Sequence, residues 1–329
     1  MKSKVLPASL RELLFKIAPL LTLILLSIFL SIVSDNFLKF DNIMNVLRQA
    51  STIALIAVGM LIVIITAGID LSVGPLMALS ICVMGIVMKA GVTSPFLLIV
   101  VCLLVGSGMG VLNGLLLTRL NLPHPFISTI GTRNVATGLA LIITGAAPIL
   151  GFPEAIEAPG SGDINGFPIS FLIVIIVYVL VHFFLNNTAL GREIYSIGGN
   201  KEAALLSGIN VKNVLTFVYG FSGFMCACAG IIFVGRVGGA LPLAGTTADM
   251  DAIAAVIIGG ASFFGGKGTV WGTMIGVLLI SVIRNGLNLL SASSDLQFVV
   301  MGIVIIVAVF IDVIRTKIEE KARRMAKAE

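Results

Sequence analysis

Residues 251–290 read DAIAAVIIGGASFFGGKGTVWGTMIGVLLISVIRNGLNLL. The middle of this stretch, Gly259 to Thr269 (GGASFFGGKGT), has the glycines and the lysine of a phosphate-binding loop. Such a loop needs G-x-x-x-x-G-K-[ST], because its backbone N–H groups wrap the phosphates and its hydroxyl holds magnesium. Here the first glycine position falls on Ala261, and Gly268 follows Lys267 where Ser or Thr is required. Two fixed positions fail. The flanks supply another reading, because both are long apolar runs (249–264 and 269–290). The glycines then form a short turn between two membrane crossings, with Lys267 marking the cytoplasmic face.

The rest of the chain has the same character. Of 329 residues, 58% are hydrophobic and 11% charged, against about 25% charged in an ordinary soluble domain. A run of about 18 apolar residues is long enough to cross a bilayer as a helix. Ten runs qualify, near 17–34, 50–67, 72–89, 95–117, 126–147, 168–185, 213–234, 249–264, 269–290 and 297–314. The first is too long for a signal-peptide core, lacks an A-x-A site and is followed by many similar runs, so it reads as a retained span. The expectation is an all-α polytopic membrane protein, a single transmembrane domain over residues 1–329.

Charge sets the orientation. With residues 1–16 in the cytoplasm, only Lys39, Arg48, Lys89 and Arg236 fall outside, and Arg133 and Arg284 fall within spans. Every other Lys and Arg lies inside, including those of the 186–212 loop and the 315–329 tail. That bias places both termini in the cytoplasm and supports an even number of spans. The external 148–167 segment carries acids and no Lys or Arg, as expected of an outer loop. Because the basic residues lie between spans, the net charge of +5 is not a nucleic-acid signature.

Glycines at four-residue spacing, Gly106, Gly110 and Gly114 and again Gly268, Gly272 and Gly276, let helix backbones approach closely in lipid. The two ladders lie five spans apart, and spans three and eight each open with an acid. Both features suggest an inverted repeat of spans 2–5 and 7–10, a common transporter design. Cys82, Cys102, Cys226 and Cys228 sit in apolar runs and read as small buried hydrophobes. His124 and His182 have no second ligand at metal-site spacing, so no metal is expected. No catalytic signature is visible, and no enzyme activity is expected of the chain.

Polar groups at membrane depth are costly and each needs a reason. Asp70 either caps the N-terminus of span three or serves gating or ion pairing. Asp249 and Asp251 have the same two readings at span eight. Arg133, Asn134, Arg284, Asn285 and Asn288, together with Asn113, are candidates for lining a pathway. Arg284 could equally pair with an acid or reach the headgroups. In the 186–212 loop, Asn200 is placed to cap a short helix over Lys201–Ser207, with Gly208 just past its end. Ala203, Ala204 and Leu206 would give that helix an apolar side, resting on lipid or meeting a partner protein.

Four motifs, GIDLSVG (68–74), NGLLLTRL with PFISTIGT (113–132), GREIYSIGGNKEAALLSGI (191–209) and the 251–290 block, resemble the ribose-type permease subunits of bacterial ABC sugar importers. The resemblance covers nearly the whole chain. It implies a multi-pass subunit of the bacterial inner membrane that pairs with a second permease, identical or related. The pair would receive a ribose-like monosaccharide from a periplasmic binding protein. A separate ATPase with two nucleotide-binding cassettes would hold ATP and magnesium, leaving no cofactor in this chain. Asn200, Lys201, Glu202, Ala203, Ala204 and Gly208 resemble the coupling helix that docks in that ATPase. Lys201 and Glu202 would make polar contacts, the alanines would permit close approach, and Gly208 would end the helix. His124 departs from the apolar-Pro-Pro-Phe form of the family. The tail, with Glu319/Arg323 and Glu320/Arg324 at i,i+4, reads as a basic anchor. The competing reading is a stand-alone, ion-coupled secondary transporter of a small polar solute, in which Asp70 would be the ion-binding acid.

Overall fold

The computed structural model describes residues 8–120 and 122–326. The side chains of residues 1–16 and of the tail pairs Glu319/Arg323 and Glu320/Arg324 lie outside that description. The described residues are mostly helical. It opens with α1 (Ala8–Val33), α2 (Phe40–Ile65), α3 (Val73–Lys89), α4 (Pro95–Thr118) and α5 (Pro125–Thr144). A short α6 (Glu154–Ser161) precedes α7 (Ile169–Asn187), and two small helices follow, α8 (Ala189–Gly199) and α9 (Lys201–Leu206). The remainder is α10 (Val211–Val237), α11 (Ala248–Ile258), α12 (Val270–Leu289) and α13 (Ser294–Ala326).

Seven of the described helices are long and apolar enough to cross a membrane: α2, α4, α5, α7, α10, α12 and the Ser294–Ile314 part of α13. Ile17–Val33 and α3 are apolar but shorter. The run expected over 249–264 is not one helix. Its helical part, α11, has 11 residues and so rises about 16 Å, roughly half the apolar thickness of a bilayer. The cause is local. Gly260 has a φ of +94°, and its N–H reaches Ile257 O while Ala261 N–H reaches Val256 O at 3.1 Å. Those two bonds are the paired closure of a helix C-terminus around a left-handed glycine.

A helix that is apolar on every side belongs in the interior. Beyond Arg48, α2 carries no charge, and it is buried almost throughout, as is most of α10. The other long helices surround these two and turn apolar side chains outward, among them Phe96 on α4, Ile142 on α5, Leu180 on α7 and Ile306 on α13. Such a contiguous apolar exterior suits lipid rather than water.

The glycine ladders act as packing surfaces. Gly106, Gly110 and Gly114 of α4 lie against Gly223, Gly220 and Thr216 of α10, and a Cβ added to Gly114 would fall 2.6 Å from Thr216 Cα. Gly272 and Gly276 of α12 press on Gly259 and Ala255 at α11 in the same way. The 148–167 segment is more ordered than a bare external loop. Ile149–Leu150 pairs antiparallel with Gly239–Ala240, Asp163–Ile164 with Phe167–Pro168, and Gly160 of α6 approaches the backbone of α10 at Gly235.

Candidate functional site

Polar side chains gather at three places: the α8–α9 segment, the start of α11, and the connection between α2 and α3. In the first, Thr188 Oγ1 accepts the Gly191 N–H and begins α8. Asn200 Oδ1 accepts the Ala203 N–H at 2.9 Å and begins α9. The α9 helix closes on Gly208, whose φ is +84°, with Gly208 N–H bonded to Leu205 O and Ile209 N–H to Ala204 O. Sequence therefore placed both ends of this helix, but not its faces. Ala204 is buried, whereas Leu205 and Leu206 both point away from the protein, Leu206 at 89% exposure. Lys201, Glu202 and Ala203 are exposed beside them.

This segment is tied to the rest of the molecule through backbones. Gly266 N–H donates to Ile65 O at 2.8 Å, at the last residue of α2. Gly198 lies against the same carbonyl, so a Cβ there would displace α2 or the turn before α12. Tyr195 Oη donates to Gly268 O at 2.8 Å. Burial raises the Tyr195 phenol above its usual range, which keeps it a donor. The GGASFFGGKGT turn is thus a junction: Thr269 Oγ1 caps α12 through Gly272 N–H, and Asp312 Oδ2 of α13 accepts the Phe263 N–H at 3.0 Å. Trp271 follows it, its ring 6.2 Å from that of His182.

At the opposite end of the scaffold, α11 begins with two acids, each met by an arginine from a different helix. Arg133 Nη1 of α5 pairs with Asp249 Oδ2, and Arg133 Nη2 donates to Thr246 O at 3.3 Å. Arg284 of α12 sets its Nη2 against both oxygens of Asp251, at 2.7 and 2.6 Å. Both carboxylates are almost wholly buried. Carboxylates in a first helical turn also meet the positive end of the helix. The ion-pairing reading of these acids is what the geometry shows; no side chain caps the first turn of α11 by a hydrogen bond.

Asp70 is fully buried between α2 and α3. Its Oδ1 accepts both the N–H and the hydroxyl of Ser72, and its Oδ2 accepts Ser222 Oγ of α10 at 3.0 Å. Asn113 Nδ2 of α4 donates to Ser72 Oγ at 2.9 Å, and Thr132 Oγ1 of α5 donates to Asn113 Oδ1 at 2.6 Å. This closed network joins four elements. Ser72, Thr132 and Ser222 were not foreseen, since hydroxyls in apolar runs carry no sequence signal until a partner is known.

The remaining pathway candidates separate. Asn285 is buried and exchanges two hydrogen bonds with Asn42 of α2, at 3.0 and 2.8 Å, an amide pair between helices. Asn134 is exposed on the outer face of α5 and meets none of the others. Asp251, Arg284 and Asn288 line one cavity of about 270 Å³, with Thr52, Met77, Phe233 and Arg236. A larger cavity of about 560 Å³ lies at the other end, between Gly68, His124, Gly199, Lys201 and Tyr219. His124 Nδ1 accepts the Phe126 N–H at the start of α5, a capping role. Cys82, Cys102 and Cys226 are buried and Cys228 partly so, all as free thiols.

Residues 42–309 match a family described as the branched-chain amino acid transport system / permease component. The ribose import permease protein of Bacillus subtilis (strain 168) is 43% identical over 90% of this chain and 92% of its own. That of Escherichia coli (strain K12) is 39% identical over 89% and 92%. The D-allose transport system permease protein of Escherichia coli (strain K12) is 41% identical over 88% of each chain. No solved structure matches.

Proposed function

Because the chain belongs to this family of transport-system permease components, we propose that it forms the membrane passage of an ATP-driven importer for a ribose-like monosaccharide. The named relatives are ribose import permeases and a D-allose transport system permease, and similarity over almost the full length of both partners supports the same solute class here. Nucleotide hydrolysis belongs to a separate ATPase subunit with two cassettes, which holds ATP and magnesium. A periplasmic binding protein delivers the sugar, and a second permease, this chain or a related one, completes the passage in the bacterial inner membrane. Both termini and the 186–212 loop face the cytoplasm.

One observation carries the mechanism: α9 is a fully capped helix that offers Leu205 and Leu206 to solvent while Ala204 is buried against the scaffold. An exposed leucine pair beside Lys201 and Glu202 fits a protein groove. Closure of the ATPase cassettes moves α9, and the Gly198–Ile65–Gly266 stack transmits that movement to α2 and to the turn before α12. Differential stabilisation of two arrangements then drives alternate opening. Gentle purification from native membranes tests the proposal. A two-cassette ATPase in stoichiometric amount is the expected result. A chain that purifies alone, and transports on an ion gradient without ATP, would refute it.

A further inference from the structure

Of the seven helices long enough to cross a membrane, α5 is the least apolar, yet little of it is buried. The helices that are similarly exposed, α4, α7 and the apolar part of α13, are the three most apolar. Almost as polar as α5 is α12, and that helix is mostly buried. The α5 helix thus combines the exposure of a lipid-facing span with the composition of a covered one. Part of its polarity turns inward and is satisfied: Ser128 and Thr129 donate to Pro125 O, and Thr132 joins the Asn113 network. Asn134 turns outward at the middle of the helix, exposed and without a hydrogen bond to any described residue. An amide left unpartnered at that depth in lipid is costly.

We infer that α5 is the contact helix between two copies of this chain, paired in parallel about a two-fold axis beside Asn134. The inference rests on the reading above that a second permease is present, and it selects this chain over a related one. Ile127, Gly131, Asn134 and Gly138 recur at steps of four, three and four residues, the seam spacing of two helices packed side by side. A Cβ added to Gly131 or Gly138 would meet nothing within 4 Å. The seam is therefore open on both sides of the amide, and a second backbone can approach closely. In a two-fold pair, each residue near the axis meets its own copy. An asparagine carries both donors and an acceptor, so two of them can exchange a pair of hydrogen bonds. Asn42 and Asn285 already do so within the chain, at 3.0 and 2.8 Å. A single polar residue on such a seam also fixes its register.

Asn134→Cys, Gly131→Cys and Gly108→Cys, compared in native membranes under mild oxidation, test this pairing. Gly108 is the control, because it is open and outward on α4. The parent protein, whose own thiols are buried or half-buried, sets the background. Both α5 variants are expected to give a disulfide-linked species of twice the chain's mass, and Gly108→Cys is not. No cross-link at either α5 position, or an equal one at Gly108, would overturn the inference. A cross-link to a chain of different mass would overturn the choice of a second copy. Asn134→Leu gives a readout without added thiols, read by energy transfer between labelled full-length chains in lipid vesicles. Its dimer is expected to dissociate about threefold to tenfold more readily, the weight of an interhelical hydrogen bond in a membrane. Asn134→Gln is expected to recover part of that loss. An unchanged dimer in Asn134→Leu would show that the amide faces lipid and would overturn the pairing. Neither readout needs the ATPase. A chain that cross-links through α5 but cannot couple ATP to uptake would refute the importer reading alone, whereas a working importer without the cross-link would refute the pairing alone.

Discussion

Arg284 engages both oxygens of Asp251 through a single nitrogen, Nη2, and so anchors the first turn of α11 to the last two turns of α12. Breaking a pair of this kind strands a buried charge, which costs more than the pair itself contributes. Arg284→Met should therefore lower stability by about 3 kcal/mol, read as an earlier thermal midpoint of the detergent-purified protein. Adding Asp251→Asn to it should recover much of the loss. Additive losses in the double variant would show that the two side chains do not act as a pair.

The exposed edge of α9 gives the opposite pattern. Leu206→Glu alters a side chain that touches almost nothing in this chain, so the thermal midpoint should not move. Co-purification with the ATPase should drop by an order of magnitude or more, since a buried interface leucine is worth about 2 kcal/mol. Retained association would place the coupling contact elsewhere.

Two glycines of α4, two residues apart, separate packing from helix propensity. Gly110→Ala puts a Cβ 3.1 Å from the Cα atoms of Gly220 and Gly223, where backbone must shift, whereas Gly108 has open space around it. Gly110→Ala should destabilise by about 1–3 kcal/mol through overpacking. Gly108→Ala should be neutral or mildly stabilising. Equal midpoints for both variants would mean that the α4–α10 contact is looser than described.

Asp70→Asn decides between the importer and an ion-coupled carrier. The amide keeps an acceptor for Ser72 or Ser222 but not the full set of bonds. Stability should fall by about 1–2 kcal/mol, with uptake still driven by ATP. Complete loss of uptake, with ATPase association and hydrolysis intact, would favour the carrier.

Much of this architecture was legible in the residues because lipid imposes a simple grammar. Uninterrupted apolar length marked the helices, and glycines every fourth position marked where they touch. The caps of α9 were readable for the same reason, since Asn200 and Gly208 act on their immediate neighbours. What escaped depended on partners distant in sequence. Nothing near Asn285 announces Asn42, and nothing near Asn113 announces Thr132 or Ser72. The 249–264 run shows the other limit, because hydropathy cannot see that Gly259 and Gly260 end α11 halfway. Asp312, a lone acid in an otherwise apolar run, was the one missed residue whose signal was available.

The sequence contains one tryptophan, Trp271, and the fold sets it in the first turn of α12, beside His182 and next to the glycine turn that receives Tyr195. Its emission therefore has a single address. With no second indole to dilute the spectrum, a shift in wavelength or quenching reports the environment of that junction alone. The unlabelled protein thus carries its own optical probe at the place where motion of α8 and α9 would first reach the membrane helices.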